Sequence, residues 1–353
     1  MSAMKFQLAH RRYSLPFRTP VRTAHGVWAE REGVMVRVTD EAGAVGYGEA
    51  APIPWFGTET VEEIVAAVEA LGEWVTEEQL AEVPERLGCL RFALAGALNG
   101  ARGVFSERRG AESPPYLPVC ALLPAGRAAL AAAGPKAEMG FRTFKWKVGV
   151  GDLADELALL DDVIAALPDG AKLRLDANGA WEARQAVRWM ERAADRPVEF
   201  IEQPCFTAAK EGAAAVRKTE DVLRGLAEDY PTAIALDESL VGATDVERWI
   251  AGGWRGVFVV KPALLGEPAP VLARLAASKA DVVFSSALET AVGAKAALRA
   301  AFAWKPAGKP RALGFGVYPL FGDKILDGPF GAPFFRAEDV ERLNEEAVWN
   351  ALT

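Results

Sequence analysis

Charged residues end a series of short apolar runs in this chain. Lys145 and Lys147 close one run, Asp176 with Asn178 the next, then Glu202 with Gln203, Asp237 with Glu238, Lys261, and Ser285 with Ser286. Three carboxylates on three successive runs are bracketed by lysines on the runs before and after. Three hard oxygen ligands with room left for water and substrate describe a magnesium site. Without a cation, clustered carboxylates repel and push pKa values up, which makes a purely structural cluster costly. A divalent ion beside two amines suits removal of a proton next to a carboxylate. The ion acts as Lewis acid toward the enediolate left behind, and Lys147 or Lys261 serves as base once its surroundings lower its pKa.

The elements that must hold these residues follow from hydrophobic spacing. The runs are 119–123, 144–148, 173–176, 199–202, 234–237, 256–261, 281–286 and, more weakly, 312–315, separated by helical stretches rich in Ala, Leu, Arg and Glu. Eight strands alternating with helices predict an α/β fold, a parallel barrel of the (β/α)8 type, which places its chemistry at the C-terminal strand ends. A doubly wound sheet is the runner-up, but no Gly-x-Gly-x-x-Gly follows a first strand. In a closed barrel neighbouring strands are about 5 Å apart, so Asp176, Glu202 and Asp237 can converge at the mouth.

Before the barrel, Lys5 to Glu49 reads as antiparallel strands with a turn at Asp40–Gly43, and Thr58–Leu80 and Pro84–Glu107 read as helices, the first opened by a capping box at Thr60–Glu63. The chain therefore divides into an N-terminal α+β capping domain (1–115), a barrel (116–317) and a tail (318–353) that folds back on the capping domain. The proline-rich stretch Gly110–Pro118 is the expected linker.

Composition narrows the functions. With 48 acidic against 40 basic residues the net charge is −8, which disfavours nucleic acid and anionic membrane as partners. No apolar stretch is long enough to span a bilayer, and the N-terminus lacks the apolar core of a signal peptide, so a cytoplasmic location is expected. Cys89, Cys120 and Cys205 have no metal-ligand or paired spacing and read as small buried hydrophobes. His10 and His25 are the sole histidines, which leaves the chemistry to carboxylates, lysines and arginines. Trp146 and Trp181 read as packing residues, and Arg174 as a carboxylate partner or a substrate contact.

Lys145-Trp146-Lys147, Leu175-Asp176-Ala177-Asn178-Gly179, Ile201-Glu202-Gln203-Pro204, Leu236-Asp237-Glu238-Ser239 and Val260-Lys261-Pro262 resemble the signature of the enolase superfamily, muconate lactonizing enzyme subgroup. The resemblance covers essentially the whole chain. It implies a modified β/α barrel with a capping domain, Asp176, Glu202 and Asp237 as ligands of magnesium (manganese as a substitute), Lys147 as general base and Lys261 as the opposite lysine, with Lys145 beside them. That subgroup runs cycloisomerisation, epimerisation and dehydration on one ligand set, so other features choose the reaction. Dipeptide epimerases carry Asp-x-Asp on the eighth strand, where this chain has Gly314-Phe315-Gly316-Val317.

The runs 173–181 and Phe284–Gly293 resemble those of o-succinylbenzoate synthases, which dehydrate 2-succinyl-6-hydroxy-2,4-cyclohexadiene-1-carboxylate in menaquinone or phylloquinone synthesis. The resemblance implies a syn elimination in which Lys147 acts as base and then acid while Lys261 makes a cation-π contact with the ring. It also implies substrate contacts from Arg22, Asn178, Ser285 and Ser286. A loop at Phe17–Trp28, carrying Arg18, Arg22 and His25, and a second at Ile53–Thr58, carrying Trp55 and Phe56, would cover the substrate. The expected partner is a small-molecule carboxylate, with the protein a monomer or homo-oligomer. The alternatives are an N-acyl (N-succinyl) amino acid racemase or another enzyme of the muconate lactonizing subgroup, and a non-catalytic relative that binds magnesium and a carboxylate. A polar helical segment around Lys210–Glu228 reads as an insertion that adds a helix or lengthens a mouth loop.

Overall fold

Apolar residues at every second position make the N-terminal chain strand-forming, and in the computed structural model they build two very long strands, β1 (Lys5–Thr23) and β2 (Gly26–Thr39). Residues 4–23, 26–103, 114–305 and 310–352 are described by the structure, and the side chains of 22 and 23 lie outside the description. With β3 (Val45–Ala50) and β4 (Trp74–Thr76) these strands form an antiparallel sheet in the order β3-β2-β1-β4. The helices α1 (Val61–Leu71) and α3 (Gly88–Ala101) bury Ile64, Val68, Phe92 and Leu94. Thr60 and Glu63 form the expected capping box of α1.

The single helix expected over Thr58–Leu80 is broken. Gly72 takes φ 81°, which ends α1, and Trp74–Thr76 pairs with Lys5–Gln7 before a second capping box at Thr76 and Gln79 starts α2 (Glu77–Ala81). The span Phe17–Trp28, expected as a loop, is largely paired strand: Val21 faces Trp28 and Arg22 faces Val27, after an irregularity between Pro16 and Val21. His25 lies outside the described residues. The expected linker lies partly outside them too; its described end, β5 (Tyr116–Pro118), is a strand paired with β13 (Phe334–Arg336).

The second unit is a parallel sheet of β6 (Ala121–Leu123), β7 (Thr143–Lys147), β8 (Lys172–Asp176), β9 (Val198–Glu202), β10 (Ile234–Leu236), β11 (Val257–Val260) and β12 (Asp281–Phe284), each hydrogen-bonded to the next in chain order. The weak eighth run closes it with two isolated bridges: Leu313 N donates to Pro118 O at 2.8 Å and Gly314 N to Phe284 O at 2.7 Å. Glycine at 314 and 316 is required by the closeness of the neighbours. A Cβ there would lie 2.5 Å from Ser285 Oγ and 2.1 Å from Cys120 O, respectively.

Helices α4 (Ala128–Glu138), α5 (Leu153–Ala165), α6 (Ala183–Ala193), α7 (Ala213–Asp229), α8 (Ala243–Ala251), α9 (Pro268–Ala277) and α10 (Ala291–Ala303) alternate with the strands. The segment read as an insertion around Lys210–Glu228 is α7, the regular crossover between β9 and β10; its polarity is that of a helix burying only Leu223 and Leu226. Phe200, Ala235, Val257, Val259 and Val283 form a separate small core. Trp181 stacks on Trp189 at 5.2 Å between ring centroids, and Trp146 meets Trp189 edge-on, so both are packing residues. The three cysteines are buried and unpaired.

The tail returns to the N-terminal sheet. Arg18 N donates to Leu320 O at 2.7 Å. After α11 (Ala337–Glu341), α12 (Glu345–Ala351) sets Trp349 against Tyr47, with the Arg11 guanidinium 4.4 Å from its ring centroid.

Candidate active site

Strand register brings the residues together. Lys147 lies opposite Asp176, Asp176 opposite Glu202, and Ala235 opposite Glu202, so Asp237 follows at the end of the next strand. Side chains alternate along a strand, so Lys145 shares a face with Lys147, and Arg174 with Asp176. Asp176, Glu202, Asp237 and Lys261 are all buried.

Lys145 Nζ lies 2.8 Å from Asp176 Oδ2 and 2.9 Å from Glu202 Oε1, while Lys261 Nζ pairs with Asp237 Oδ1. Asn178 Nδ2 donates to Glu238 Oε1 at 3.1 Å, and Asn178 N donates to Asp176 Oδ1 at 3.1 Å. Glu238 Oε2 and Asn178 Oδ1 are buried with no hydrogen-bond partner. Glu238 and Gln203 were not singled out as site residues from sequence, although both stand beside a predicted ligand. Gln203 ties two strand ends together, its Oε1 accepting from Asp237 N at 2.9 Å and Ser239 N at 3.2 Å. Asn178, Gln203 and Leu288 have positive φ (46°, 37° and 61°), so three of the four such non-glycine residues among those described border the site.

The electrostatics are those of crowded buried acids. Burial, reinforced by Asp176 and Asp237, pushes the Glu202 carboxyl up to about 7 against the pull of Lys145. Burial together with Asp237 and Asp176 pushes Glu238 up to about 8. Burial raises Asp176 too, but Lys145 and then Lys147 outweigh it and leave its pKa lowered. For Lys145, burial opposes the charge, yet Asp176 and Glu202 hold its ammonium well above the ordinary lysine value. Lys147 goes the other way: burial, helped by Lys145, outweighs Asp176 and lowers its pKa.

A cavity of about 210 Å³ covers this cluster. Lys145, Lys147, Asp176, Asn178, Asp237 and Lys261 line it from the barrel. Ser285 and Ser286 also line it, their hydroxyls donating to Gly314 O at 3.3 Å and Glu289 Oε2 at 3.1 Å. Val21, Trp28, Ile53, Trp55 and Phe56 close it from the capping side. The Phe56 ring centroid lies 4.5 Å from Lys261 Nζ. Arg22 sits on β1 opposite Val27, with its side chain outside the described residues.

The donor set suits a hard divalent cation: buried carboxylates on adjacent strand ends, with acid in excess and raised pKa values. Among the described residues no three acidic, His or Cys side chains stand at metal-ligand spacing. The carboxylates instead turn onto the ammonium groups of Lys145 and Lys261, cations that satisfy the same oxygen lone pairs.

Comparison with known proteins agrees with this geometry. Residues 127–332 match the family model "Enolase C-terminal domain-like" and residues 6–99 match "MenC, N-terminal domain". The chain is 41% identical over 310 residues to an o-succinylbenzoate synthase of Thermosynechococcus vestitus, covering 86% of this chain and 90% of that one. It is 30% identical to an o-succinylbenzoate synthase of Yersinia enterocolitica, covering 80% and 82%. The crystal structure of o-succinylbenzoate synthase from Thermosynechococcus elongatus BP-1, complexed with Mg in its active site, superposes with a TM-score of 0.78 at 37% identity, covering 98% of this chain and all of that one. A 2-chloromuconate cycloisomerase of Rhodococcus opacus shares the fold at a TM-score of 0.81 and 22% identity, over 100% of both chains. This chain belongs to the o-succinylbenzoate synthase family of the enolase superfamily.

Proposed function

We propose that this protein is a magnesium-dependent hydro-lyase that converts 2-succinyl-6-hydroxy-2,4-cyclohexadiene-1-carboxylate to o-succinylbenzoate, with manganese as a substitute metal. The observation that carries the reading is one small cavity lined by Lys145, Lys147 and Lys261 together with the buried carboxylates of Asp176, Asp237 and Glu238. Asp176, Glu202 and Asp237 would hold the ion, with Glu238 and Asn178 beside them. Magnesium, when bound, supplies Lewis-acid stabilisation of negative charge on the substrate carboxylate.

Lys147 is the base. Burial favours its neutral amine, which can take the proton from the ring carbon bearing the carboxylate. The ammonium so formed then returns that proton to the hydroxide leaving the neighbouring carbon, so water departs and the ring becomes aromatic. Lys261 stays charged beside Asp237 and can offer its ammonium to the face of the substrate ring, as it does to Phe56 here. Ser285, Ser286, Asn178 and Arg22 are assigned to the substrate's polar groups. Trp28, Trp55 and Phe56 exclude water.

The same reading places domain boundaries near 115 and 317, supported by the change from antiparallel to parallel sheet. It keeps the cytoplasm as the location, which three buried free thiols and a charge of −8 suit. Among the described residues no helix is long and apolar enough to cross a membrane.

A spectrophotometric assay of the purified protein with this substrate, with magnesium and with a chelator, tests the reading. Rapid metal-dependent conversion is expected, and no conversion with metal bound rejects the substrate. Because Lys147 and Lys261 line the same cavity, two-base racemisation of N-succinyl amino acids is the second reading. Solvent exchange of the α proton from both enantiomers without dehydration would favour it.

A further inference from the structure

Three walls of the cavity come from distant parts of the chain and meet at one guanidinium. Arg31 in β2 is 1% exposed. Its Nε donates to Leu288 O at 3.1 Å, and its Nη1 donates to Pro52 O at 2.7 Å and Glu32 O at 3.0 Å. Its Cζ lies 5.1 Å from the Trp28 ring centroid. Leu288 and Trp28 line the cavity, and Pro52 precedes Ile53, which also lines it. Leu288 has a left-handed backbone, φ 61°, that a leucine rarely adopts, and it is anchored on one side by Arg31 and on the other by donating its N–H to Ser286 Oγ at 2.9 Å.

The cost of this arrangement points beyond packing. The partners of Arg31 are three carbonyl oxygens and an indole face, with no carboxylate among the described residues at ion-pair distance, and Nη2 has no hydrogen-bond partner at all. Burying a cation with no carboxylate in contact is costly, a cost that the buried Glu49, Glu59 and Glu289 nearby offset only at a distance, and an apolar side chain of similar length would fill the same volume without it. What only a planar fork supplies is the simultaneous fixing of carbonyls on separate elements while its face rests on an aromatic ring.

We propose that Arg31 is a positioning residue for the dehydration, joining the hairpin, the turn after β3 and the loop after β12 into one surface that closes on the substrate. Arg31 touches no reacting atom; it acts through Trp28, Ile53 and Leu288. The inference rests on the activity proposed above.

The test compares full-length R31M and R31K with the wild type, using the same cyclohexadiene carboxylate and magnesium, with folding checked by thermal melts. KM is expected to rise roughly ten-fold or more in both variants while kcat stays within about three-fold, as removal of hydrogen bonds that hold the ground-state and transition-state complexes equally requires. The magnesium concentration for half-activation should not move. R31K retains charge and most of the volume, so it decides the matter if R31M does not fold. Wild-type KM in a folded variant, or a loss confined to kcat, overturns the role of Arg31. An inactive wild type overturns the proposed activity instead, so the two failures are distinguishable.

Discussion

The barrel contains two buried ionic clusters on the same strands, one at its mouth and one at its floor. On β8, Arg174 serves the floor and Asp176 the mouth; on β9, Glu199 serves the floor and Glu202 the mouth. At the floor Arg174 donates to Glu199 Oε2 at 2.6 Å and Ala312 O at 2.8 Å, and Arg311 grips both Glu199 and Asp281 at 2.6 Å. Burial opposes the charge of Glu199, but Arg174 and Arg311 outweigh it and hold its pKa below the ordinary carboxylate value. At the mouth, four acids face lysines, two of the acids have raised pKa values, and Glu238 Oε2 is left without a partner. Arginine forks lock carboxylates in fixed geometry, whereas lysine ammonium groups are point charges that another cation can replace. The floor is built to stay closed and the mouth to exchange partners.

Breaking each cluster should therefore have different consequences. The largest effect is expected at the mouth: K147A should lower turnover by about a thousand-fold or more, the scale of a lost general base, while magnesium still binds by calorimetry. At the floor, E199Q leaves the buried Arg174 without a carboxylate, while Arg311 keeps Asp281, and should cost about 3 kcal/mol in urea unfolding, with kcat of the folded fraction unchanged. D237N should weaken magnesium at least roughly ten-fold in a calorimetric titration, since loss of even an outer-shell partner carries that cost.

The smallest effect, in pH dependence, sharpens the contrast. Glu202 and Glu238 have folded pKa values raised to about 7 and about 8, so without metal the folded state holds protons that the unfolded state has released. Stability should fall as pH rises from the ordinary carboxylate range through those values. Glu199 has a lowered folded pKa, so its contribution is present above the unfolded value and lost as pH falls through the folded one. Thermal melts in chelator should show both arms. Saturating magnesium should flatten the alkaline arm, and E199Q should reduce the acid arm, the remainder of which belongs to Asp176.

Much of the mouth was legible from the chain. Asp176, Glu202, Asp237, Lys147 and Lys261 end or directly follow short strands, and parallel pairing in chain order then brings them together. The capping domain was harder to read. Local spacing favoured one helix from Thr58 to Leu80, yet the sheet claimed Trp74–Thr76 because β1 had a free edge to pair. Likewise α7 looked like an insertion, since it is mostly polar and buries only Leu223 and Leu226.

The sequence by itself determined the alternation of strands and helices, the strand ends that carry charge and hence the class of chemistry, because these depend on hydrophobic period and residue type. Only the tertiary structure decided which cation faces which carboxylate, that Phe56 covers Lys261, and that Arg31 gathers Trp28, Pro52 and Leu288 around one guanidinium. Those contacts join residues far apart in the chain, up to 257 positions for Arg31 and Leu288. Side-chain direction, burial and competition between neighbouring charges arise only when the elements are packed, so no local pattern encodes them.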